Sequence, residues 1–471
     1  MKPLSHVRTA AVGLCAVALL ATTASACSSN SAGSSGGSAA SGGTLTIQGD
    51  TGNPSLVEDF NPFTPGTELH GAFLIYEPLE IPSPVDGAYT PFLATGFRFT
   101  SPTTLVYTIR PGVKWSDGTP FTANDVVFTF NMLKKYPALD TTGIWAQISG
   151  VSASGDQVTF TFKAADVPFA GTIAQVPIVP EHIWSKIADP TKYADTSPVG
   201  TGPFMLSSFA PTQYTLKKNP TYWDAAKIAP SSVVFPAQAS NQSTNQLEVS
   251  SGQFDWAYTY IPDVKATYVN RDPSTNSYWF PPGGTIGLFL NLTQAPYNNV
   301  NFRQGVSQAL DRTTIAQKAV NGYMAQASLS GLTLPNLQQW LNPSLPDQGK
   351  ISQDRTAAMA DFAKAGYTLK GGKLIGPGGT QATMTIVLPN SFTDWAAAAT
   401  EISNELGQVG IKVSLNEPQY PQYSQTTQAG TFNAAIGGFG GTGNPYTDFN
   451  QALNGSFAAP VHTATVNNFE R

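Results

Sequence analysis

The chain is poor in the residues that build metal and redox sites. Its 471 residues include two cysteines and four histidines, too few for a zinc or iron–sulfur site made of those side chains. Charged residues make up 12%, about half of the roughly 25% that is usual in soluble proteins. The net charge of −5 offers no general basic face for phosphates. We therefore expect no cofactor, no metal and no nucleic-acid partner.

Two further absences limit the architecture. The apolar run at residues 9–21 is shorter than the roughly 20 residues that a membrane-spanning helix needs. No repeat of about 20–50 residues is visible, which excludes a solenoid or a propeller. Apolar residues make up 41% of the chain, so it is globular, and its length suits roughly two or three domains.

The first 26 residues have the order of features of an export signal. Lys2 and Arg8 form a basic region before the apolar run, and Ala24-Ser25-Ala26 stand directly before Cys27. This order is typical of a secretory signal peptide over residues 1–26, and it resembles the bacterial lipobox. The resemblance implies that Cys27 becomes a lipid-modified mature N-terminus. The alternative is an ordinary cleavage site beside a chance cysteine.

Residues 27–43 are rich in serine and glycine, and they predict a flexible tether. Cleavage would remove Cys15, the other cysteine, so Cys27 would have no disulfide partner within the chain. We expect an extracytoplasmic protein that the lipid at Cys27 anchors to the cell membrane.

The first half of the remaining chain predicts strands around a helix. Residues 104–110 and 158–162 alternate apolar and polar side chains, as half-buried strands do. Between them, residues 123–135 carry a helical apolar face, and Thr122 with Asp125 forms a capping box at its start. In the second half, one helix is predicted over residues 301–320, with Gly322 ending it. A strand at 384–388, a helix at 395–408 and a strand at 411–415 predict a β-α-β unit.

The stretch at residues 105–128, LVYTIRPGVKWSDGTPFTANDVVF, makes a family recognisable. It closely resembles a hallmark of the family 5 extracellular solute-binding proteins, the oligopeptide-binding class of bacterial ABC importers. Other stretches agree with that family in the same order, at residues 75–79, 198–204, 218–223, 251–255, and 296–300 with 309–312. The resemblance covers roughly residues 44–471.

The resemblance implies an α/β fold, a two-lobed clamp with mixed sheets that encloses its ligand. Lobe one would comprise residues 44–80 and 199–280, and an additional strand-rich α+β domain on it would comprise residues 81–198. Lobe two would comprise residues 281–471, after a crossing near residues 280–283. Members of the family usually continue by roughly another hundred residues, so we expect lobe two to be C-terminally incomplete.

The resemblance also places two aromatic segments near the ligand. A closed cleft needs aromatic walls and a few placed polar groups, and residues 255–260 and 439–446 supply both. The predicted ligand-binding residues are Trp256, Tyr258, Tyr260, Trp340, Phe439, Thr442, Asn444 and Tyr446. Any one of these aromatic side chains could instead belong to the core.

The second segment departs from the peptide-binding pattern of the family. Typical peptide receptors carry an aspartate shortly after an aromatic residue there, and it holds the ligand's ammonium group. This chain has no acid between Phe439 and Asp448. The resemblance implies a monomeric protein that delivers an oligopeptide to ABC permease subunits. The missing acid keeps a neutral oligosaccharide open as the alternative ligand.

Two other classes of function remain as alternatives. A glycosidase would need two carboxylates across a sugar cleft, and Asp255, Asp394, Glu401 and Glu405 are available. The last three are predicted to lie on or near a solvated helix face, so no catalytic residue is assigned and we expect no enzymatic activity. A purely structural surface lipoprotein would not need a hinged cleft.

Overall fold

The structure is a computed structural model that describes residues 42–49, 54–64, 67–83, 85–238, 241–280, 283–455, 458–463 and 465. The predicted signal peptide, Cys27 and the tether up to residue 41 lie outside the described residues. Residues 281–282 of the predicted crossing and residues 466–471 at the end lie outside them as well.

Strands and helices alternate along the described chain. The strands are β1 (Thr44–Thr46), β2 (Glu80–Pro82), β3 (Tyr89–Pro91), β4 (Ala94–Ser101), β5 (Thr104–Ile109), β6 (Ile148–Ser154), β7 (Gln157–Phe162), β8 (Phe204–Ala210), β9 (Gln213–Lys218), β10 (Ser232–Pro236), β11 (Thr285–Leu290), β12 (Thr368–Lys370), β13 (Lys373–Ile375), β14 (Thr383–Val387), β15 (Lys412–Asn416) and β16 (Ala434–Phe439). The helices are α1 (Leu69–Ile75), α2 (Ala123–Lys135), α3 (Ile144–Gln147), α4 (Ala170–Ala174), α5 (Glu181–Trp184), α6 (Gln242–Ser250), α7 (Val264–Thr267), α8 (Val300–Ala309), α9 (Arg312–Val320), α10 (Arg355–Lys364), α11 (Thr393–Gln408), α12 (Tyr420–Gln428) and α13 (Pro445–Leu453).

Three four-stranded sheets organise these elements. The lobe-one sheet has the order β1-β10-β9-β8, and β1 runs parallel to β10. The additional sheet has the order β4-β5-β7-β6 and is antiparallel throughout. The lobe-two sheet has the order β11-β16-β14-β15, in which β14 runs parallel to both β15 and β16. The mixture of parallel and antiparallel pairs is the predicted α/β clamp architecture.

One apolar core joins the lobe-one sheet to the additional sheet. Tyr214 and Phe235 of the first belong to the same buried cluster as Leu105 and Phe160 of the second. Trp115 from the hallmark stretch is fully buried in this cluster, so it is a core residue. The additional sheet is therefore packed onto lobe one and is not a separately tethered module.

Local sequence signals explain why α2 crosses this core. The Asp125 carboxylate accepts a hydrogen bond from the Thr122 N–H at 2.8 Å, which satisfies a donor at the helix start. Val126, Phe130 and Leu133 are buried on one face, at the three- and four-residue spacing of a helix. The predicted helix and capping box are both confirmed.

The predicted single helix over residues 301–320 is wrong. It is two helices, α8 and α9, separated at Leu310. The Asp311 carboxylate accepts hydrogen bonds from the N–H groups of Thr313 and Thr314, both at 3.1 Å. An aspartate that caps the following turn in this way competes with helix continuation, so α9 starts anew. It ends at Asn321, which has a φ of +52°.

The predicted solvated face of α11 is also wrong. Glu401 and Glu405 are 8% and 3% exposed. The Lys318 ammonium of α9 lies 2.7 Å from Glu401 Oε2, and the Asp311 N–H donates to Glu405 Oε2 at 2.8 Å. Burial raises the pKa of Glu405. These carboxylates hold α9 against α11, which explains why charged side chains lie inside.

No helix among the described residues combines the length and the apolar composition that crossing a membrane requires.

Candidate functional site

The first predicted aromatic segment continues the lobe-one sheet. The Asp255 N–H donates to the Thr46 carbonyl at 2.8 Å, and the Thr46 N–H donates to Asp255 Oδ2 at 2.8 Å. Ile47 then pairs with Trp256 in parallel fashion. Trp256 and Tyr258 therefore stand at the carboxyl end of β1, where α/β sheets bind ligands. Asp255 is occupied by this pairing.

The buried side chain of Gln48 holds the backbone of this segment in place. Its Oε1 atom accepts hydrogen bonds from the N–H groups of Tyr258 at 2.8 Å and Thr259 at 3.1 Å. Its Nε2 atom donates to Gln238 Oε1 at 3.1 Å and to Thr259 Oγ1 at 2.5 Å. Gln48 is fully buried. Sequence reasoning missed it, because a single glutamine after a short strand carries no signal of this role.

Two exposed rings form an aromatic platform, the name that we use for Trp256 and Tyr258. Their exposed fractions are 51% and 55%, and their centroids are 6.4 Å apart. Behind Tyr258, the rings of His70, Phe235 and Tyr214 form a stack into the core, with centroid separations of 5.0, 6.5 and 4.8 Å. The platform thus has a rigid backing and open faces on which planar ligand groups can stack.

Tyr260 is not part of the platform. Its hydroxyl donates to the Ala319 carbonyl of α9 at 3.1 Å. A second contact of the same kind lies nearby, where Tyr323 Oη accepts from the Lys265 N–H at 3.2 Å. Tyr260 thereby connects lobe one to lobe two, and its hydroxyl is occupied by that connection.

The second predicted segment is a glycine-rich turn at the carboxyl end of β16. Gly440, Gly441 and Gly443 have φ values of +75°, +91° and +75°, a region that favours glycine. A Cβ atom on Gly441 would lie 2.2 Å from the Gly283 carbonyl oxygen. The close approach of the two backbones explains why a residue without a side chain stands at position 441.

The polar side chains of this turn are committed to its shape. Thr442 donates through its N–H at 3.1 Å and its hydroxyl at 2.7 Å to Asp448 Oδ1. Asn444 Oδ1 accepts from the Tyr446 N–H at 3.0 Å and caps α13. Asp448 is 1% exposed. The acid that follows the turn therefore lies inside it and is not presented to solvent.

The remaining predicted residues lie around the same turn or away from it. Tyr446 is half-exposed and lies near Asp166 of the region that carries the additional sheet; burial and the negative charge of Asp166 raise the pKa of Tyr446. The rings of Phe439 and Phe449 lie 6.2 Å apart. Trp340 is 63% exposed, on a segment whose leucines pack with Phe449.

Two other buried carboxyls, Glu77 and Asp195, belong to structural networks. Glu77 accepts hydrogen bonds from the Tyr222 hydroxyl at 2.9 Å and from Trp223 Nε1 at 3.1 Å. Burial raises the pKa of Glu77 to about 7, partly opposed by these bonds. Burial likewise raises the pKa of Asp195 to about 6. Both carboxyls lie in the core and accept hydrogen bonds from protein groups. A catalytic acid–base pair would instead face solvent.

The sheets, the platform and the turn agree with one family of binding proteins. A model of the bacterial extracellular solute-binding proteins, family 5, matches residues 88–459. The chain belongs to this family, the solute-binding proteins of ABC importers. Members of the family are extracytoplasmic binding proteins.

Similar proteins differ in what their names say they bind. The peptidoglycan-binding protein of Agrobacterium fabrum is 25% identical over 401 residues, which cover 70% of this chain and 62% of that protein. The periplasmic oligopeptide-binding protein of Salmonella typhimurium is 25% identical, with 78% and 69% covered. The chain thus spans about two thirds or less of these two relatives' lengths.

One solved structure is similar over most of both chains. It is a periplasmic oligopeptide-binding protein of Thermotoga maritima with bound mannohexaose. The TM-score is 0.77 at 26% identity, with 91% of this chain and 82% of that chain covered.

Proposed function

We propose that this chain captures an oligopeptide between its two lobes and delivers it to the permease of an ABC importer. The observation that carries the proposal is the position of the two predicted segments. The aromatic platform follows β1 of the lobe-one sheet, and the glycine-rich turn follows β16 of the lobe-two sheet. Both positions are carboxyl ends of parallel strands, where open α/β sheets bind ligands.

Capture in this proposal is a binding event without chemistry. The platform supplies ring faces, and the contacts of Tyr260 and Tyr323 connect the lobes beside the crossing. A ligand that touches both lobes favours the closed arrangement, because it binds that arrangement more tightly. Glu77 in lobe one and Glu405 in lobe two accept hydrogen bonds from the protein, and we assign no enzymatic activity.

Peptide binding is tested by titrating a tetrapeptide and its N-acetylated form in a calorimeter. Because Asp448 is buried and occupied by Thr442, we expect the two dissociation constants to agree within about threefold. A charge-assisted hydrogen bond is worth about 1.5–3 kcal/mol, so an anchored ammonium group would produce a difference of at least tenfold. Loss of binding upon acetylation would show that another carboxylate holds the amine.

A neutral oligosaccharide is the second candidate ligand. It is favoured by the absence of an exposed acid at the turn and by the mannohexaose in the Thermotoga maritima structure. A ligand at 100 times its Kd raises the free energy of unfolding by about 2.7 kcal/mol, so a thermal-shift measurement with mannohexaose detects it. Trp256→Ala should remove the shift. Trp279→Ala, which truncates a tryptophan that is 66% exposed, is the matched control and should preserve it.

We also propose that Cys27 carries the lipid anchor and that the protein is monomeric. Cells fed a fatty-acid analogue should label the protein, and Cys27→Ala should abolish the label. Equal labelling of both would refute the anchor. Light scattering on the lipid-free protein should give the mass of one chain at micromolar concentration, and a mass of two chains would refute the monomer.

A further inference from the structure

A cavity of about 290 Å³ lies beside the glycine-rich turn. One wall is part of the continuous core region of lobe one and the additional sheet, with Phe63, Tyr89 and Thr172 among its residues. The other wall is the turn with α13, and it includes Thr447 and Gln451. The volume is close to the lower limit of about 300 Å³ for ligand pockets, so the cavity suits one unit of a longer ligand.

The two walls also touch each other directly. Tyr446 lies near Asp166 across the gap. Nearby, a Cβ atom on Gly87 would lie 3.1 Å from the Gly443 carbonyl oxygen. The cavity is thus a half-open cleft beside a contact between two separately packed parts of the molecule. A group that fills it touches both parts, and its binding favours their contact.

Several polar side chains of the cavity are free to bind. Thr141, Thr142, Thr172, Thr447 and Gln451 line it and form no side-chain hydrogen bond with any described residue. They contrast with Thr442 and Asn444, which also line the cavity but are occupied within the turn. Hydroxyl and amide groups both donate and accept hydrogen bonds, so the free set can pair with hydroxyls of either orientation.

None of the described residues that line the cavity is Asp, Glu, Lys, Arg or His. Two acids lie nearby but do not line the cavity: Asp166 is near Tyr446, and Glu80 is buried near Tyr89. A charged group entering this space would lose part of its hydration without a charged side chain in the lining to pair with, which is unfavourable.

We propose that this cavity is a subsite for one uncharged, hydroxyl-rich sugar ring of the transported solute. The inference rests on the proposed solute-binding function with its second candidate ligand, a neutral oligosaccharide, and it names the place of one ring of that ligand. Phe63 and Tyr89 offer aromatic surface to the ring, and the free threonine and glutamine side chains pair with its hydroxyls. The additional region thereby takes a direct part in selecting the ligand.

The test compares mannohexaose with hexagalacturonate, a sugar chain of equal length that bears carboxylates. Wild-type protein should bind mannohexaose at least tenfold more tightly. The double variant Thr447→Val/Gln451→Met removes two free polar groups from one wall and should weaken mannohexaose binding at least tenfold. The control is Thr100→Val/Gln408→Met, the same changes at exposed positions of β4 and α11, and its affinity should equal that of the wild type.

A variant in the opposite direction makes the test independent of lost stability. Gln451→Lys adds a cation to the cavity wall. The ratio of the hexagalacturonate Kd to the mannohexaose Kd should therefore fall at least tenfold. Equal mannohexaose affinity in the wild type and the Val/Met cavity variant would overturn the subsite. Binding of the tetrapeptide without binding of mannohexaose would overturn the sugar subsite and leave the solute-binding function intact. Absence of binding to every probe would overturn both.

Discussion

Replacing Gln48 by leucine tests how the aromatic platform is built. Leucine is apolar and of similar size, so it fills the buried space without making any of the four hydrogen bonds of the glutamine side chain. The N–H groups of Tyr258 and Thr259 lose their acceptor. Because Gln48 is fully buried, water cannot take its place without rearrangement.

The expected magnitude follows from those two donors. Each buried unsatisfied N–H costs about 1–3 kcal/mol, so Gln48→Leu should lower the free energy of local unfolding by about 2–6 kcal/mol. A decrease of 1.4 kcal/mol speeds exchange of a protected amide about tenfold when local opening limits it. The amides of Tyr258 and Thr259 should therefore exchange with deuterium at least 30-fold faster.

Hydrogen exchange read by mass spectrometry on a peptide that spans residues 255–260 measures this effect. Gln408→Leu, at an exposed position of α11, is the control and should leave that peptide unchanged. Because the platform is less ordered in Gln48→Leu, this variant should bind the ligand more weakly than the wild type does. The control should bind it with wild-type affinity. If exchange of the 255–260 peptide is the same in both variants, Gln48 does not hold the platform and the reasoning fails.

Three further changes test other parts of the fold. Gly200→Ala puts a Cβ atom 1.9 Å from the Ile75 carbonyl oxygen, and urea unfolding should show a loss of about 3 kcal/mol; wild-type stability would contradict the close approach. Burial raises the pKa of Glu80 from 4.5 to about 7, so the folded state binds this proton more tightly than the unfolded state does. Stability therefore falls as pH rises from about 4.5 to 7, and Glu80→Gln should be more stable than wild type at pH 8 by on the order of 2 kcal/mol, whereas equal pH profiles would refute the assignment. Tyr446→Phe removes the hydroxyl group near Asp166 and should weaken ligand binding roughly threefold to tenfold by calorimetry; an unchanged Kd would show that this hydroxyl does not support closure.

Elements with strong local signals could be predicted from the sequence. The alternation at residues 104–110 and the capping pair of Thr122 and Asp125 specify β5 and α2 within a residue or so, because both signals act over a few neighbouring residues. The β-α-β unit of β14, α11 and β15 was predictable for the same reason. The family hallmark added the order of the parts, which periodicity alone does not contain.

Features that depend on distant partners could not be predicted in this way. From the sequence of α11 alone, Glu401 and Glu405 are expected to be surface residues. The sequence around them contains no signal that α9 packs over them. Once Lys318 and the Asp311 N–H are in place, burial of two carboxylates is compensated by bonds from another helix. The break at Leu310 belongs to the same arrangement, since Asp311 both caps α9 and donates to Glu405.

Asp448 shows how counting acids along a chain differs from locating them in space. The sequence has no acid between Phe439 and Asp448. From the sequence alone, the turn therefore offers no anchor for an ammonium group. In the structure, α13 brings the Asp448 carboxylate back to Thr442, within 2.7 Å of its hydroxyl. An acid is therefore present at the turn, but it is 1% exposed and holds the turn in shape. The surface left to the ligand consists of uncharged hydroxyl and amide groups beside aromatic rings, and that surface, more than the missing residue, is the physical reason to expect a neutral ligand group there.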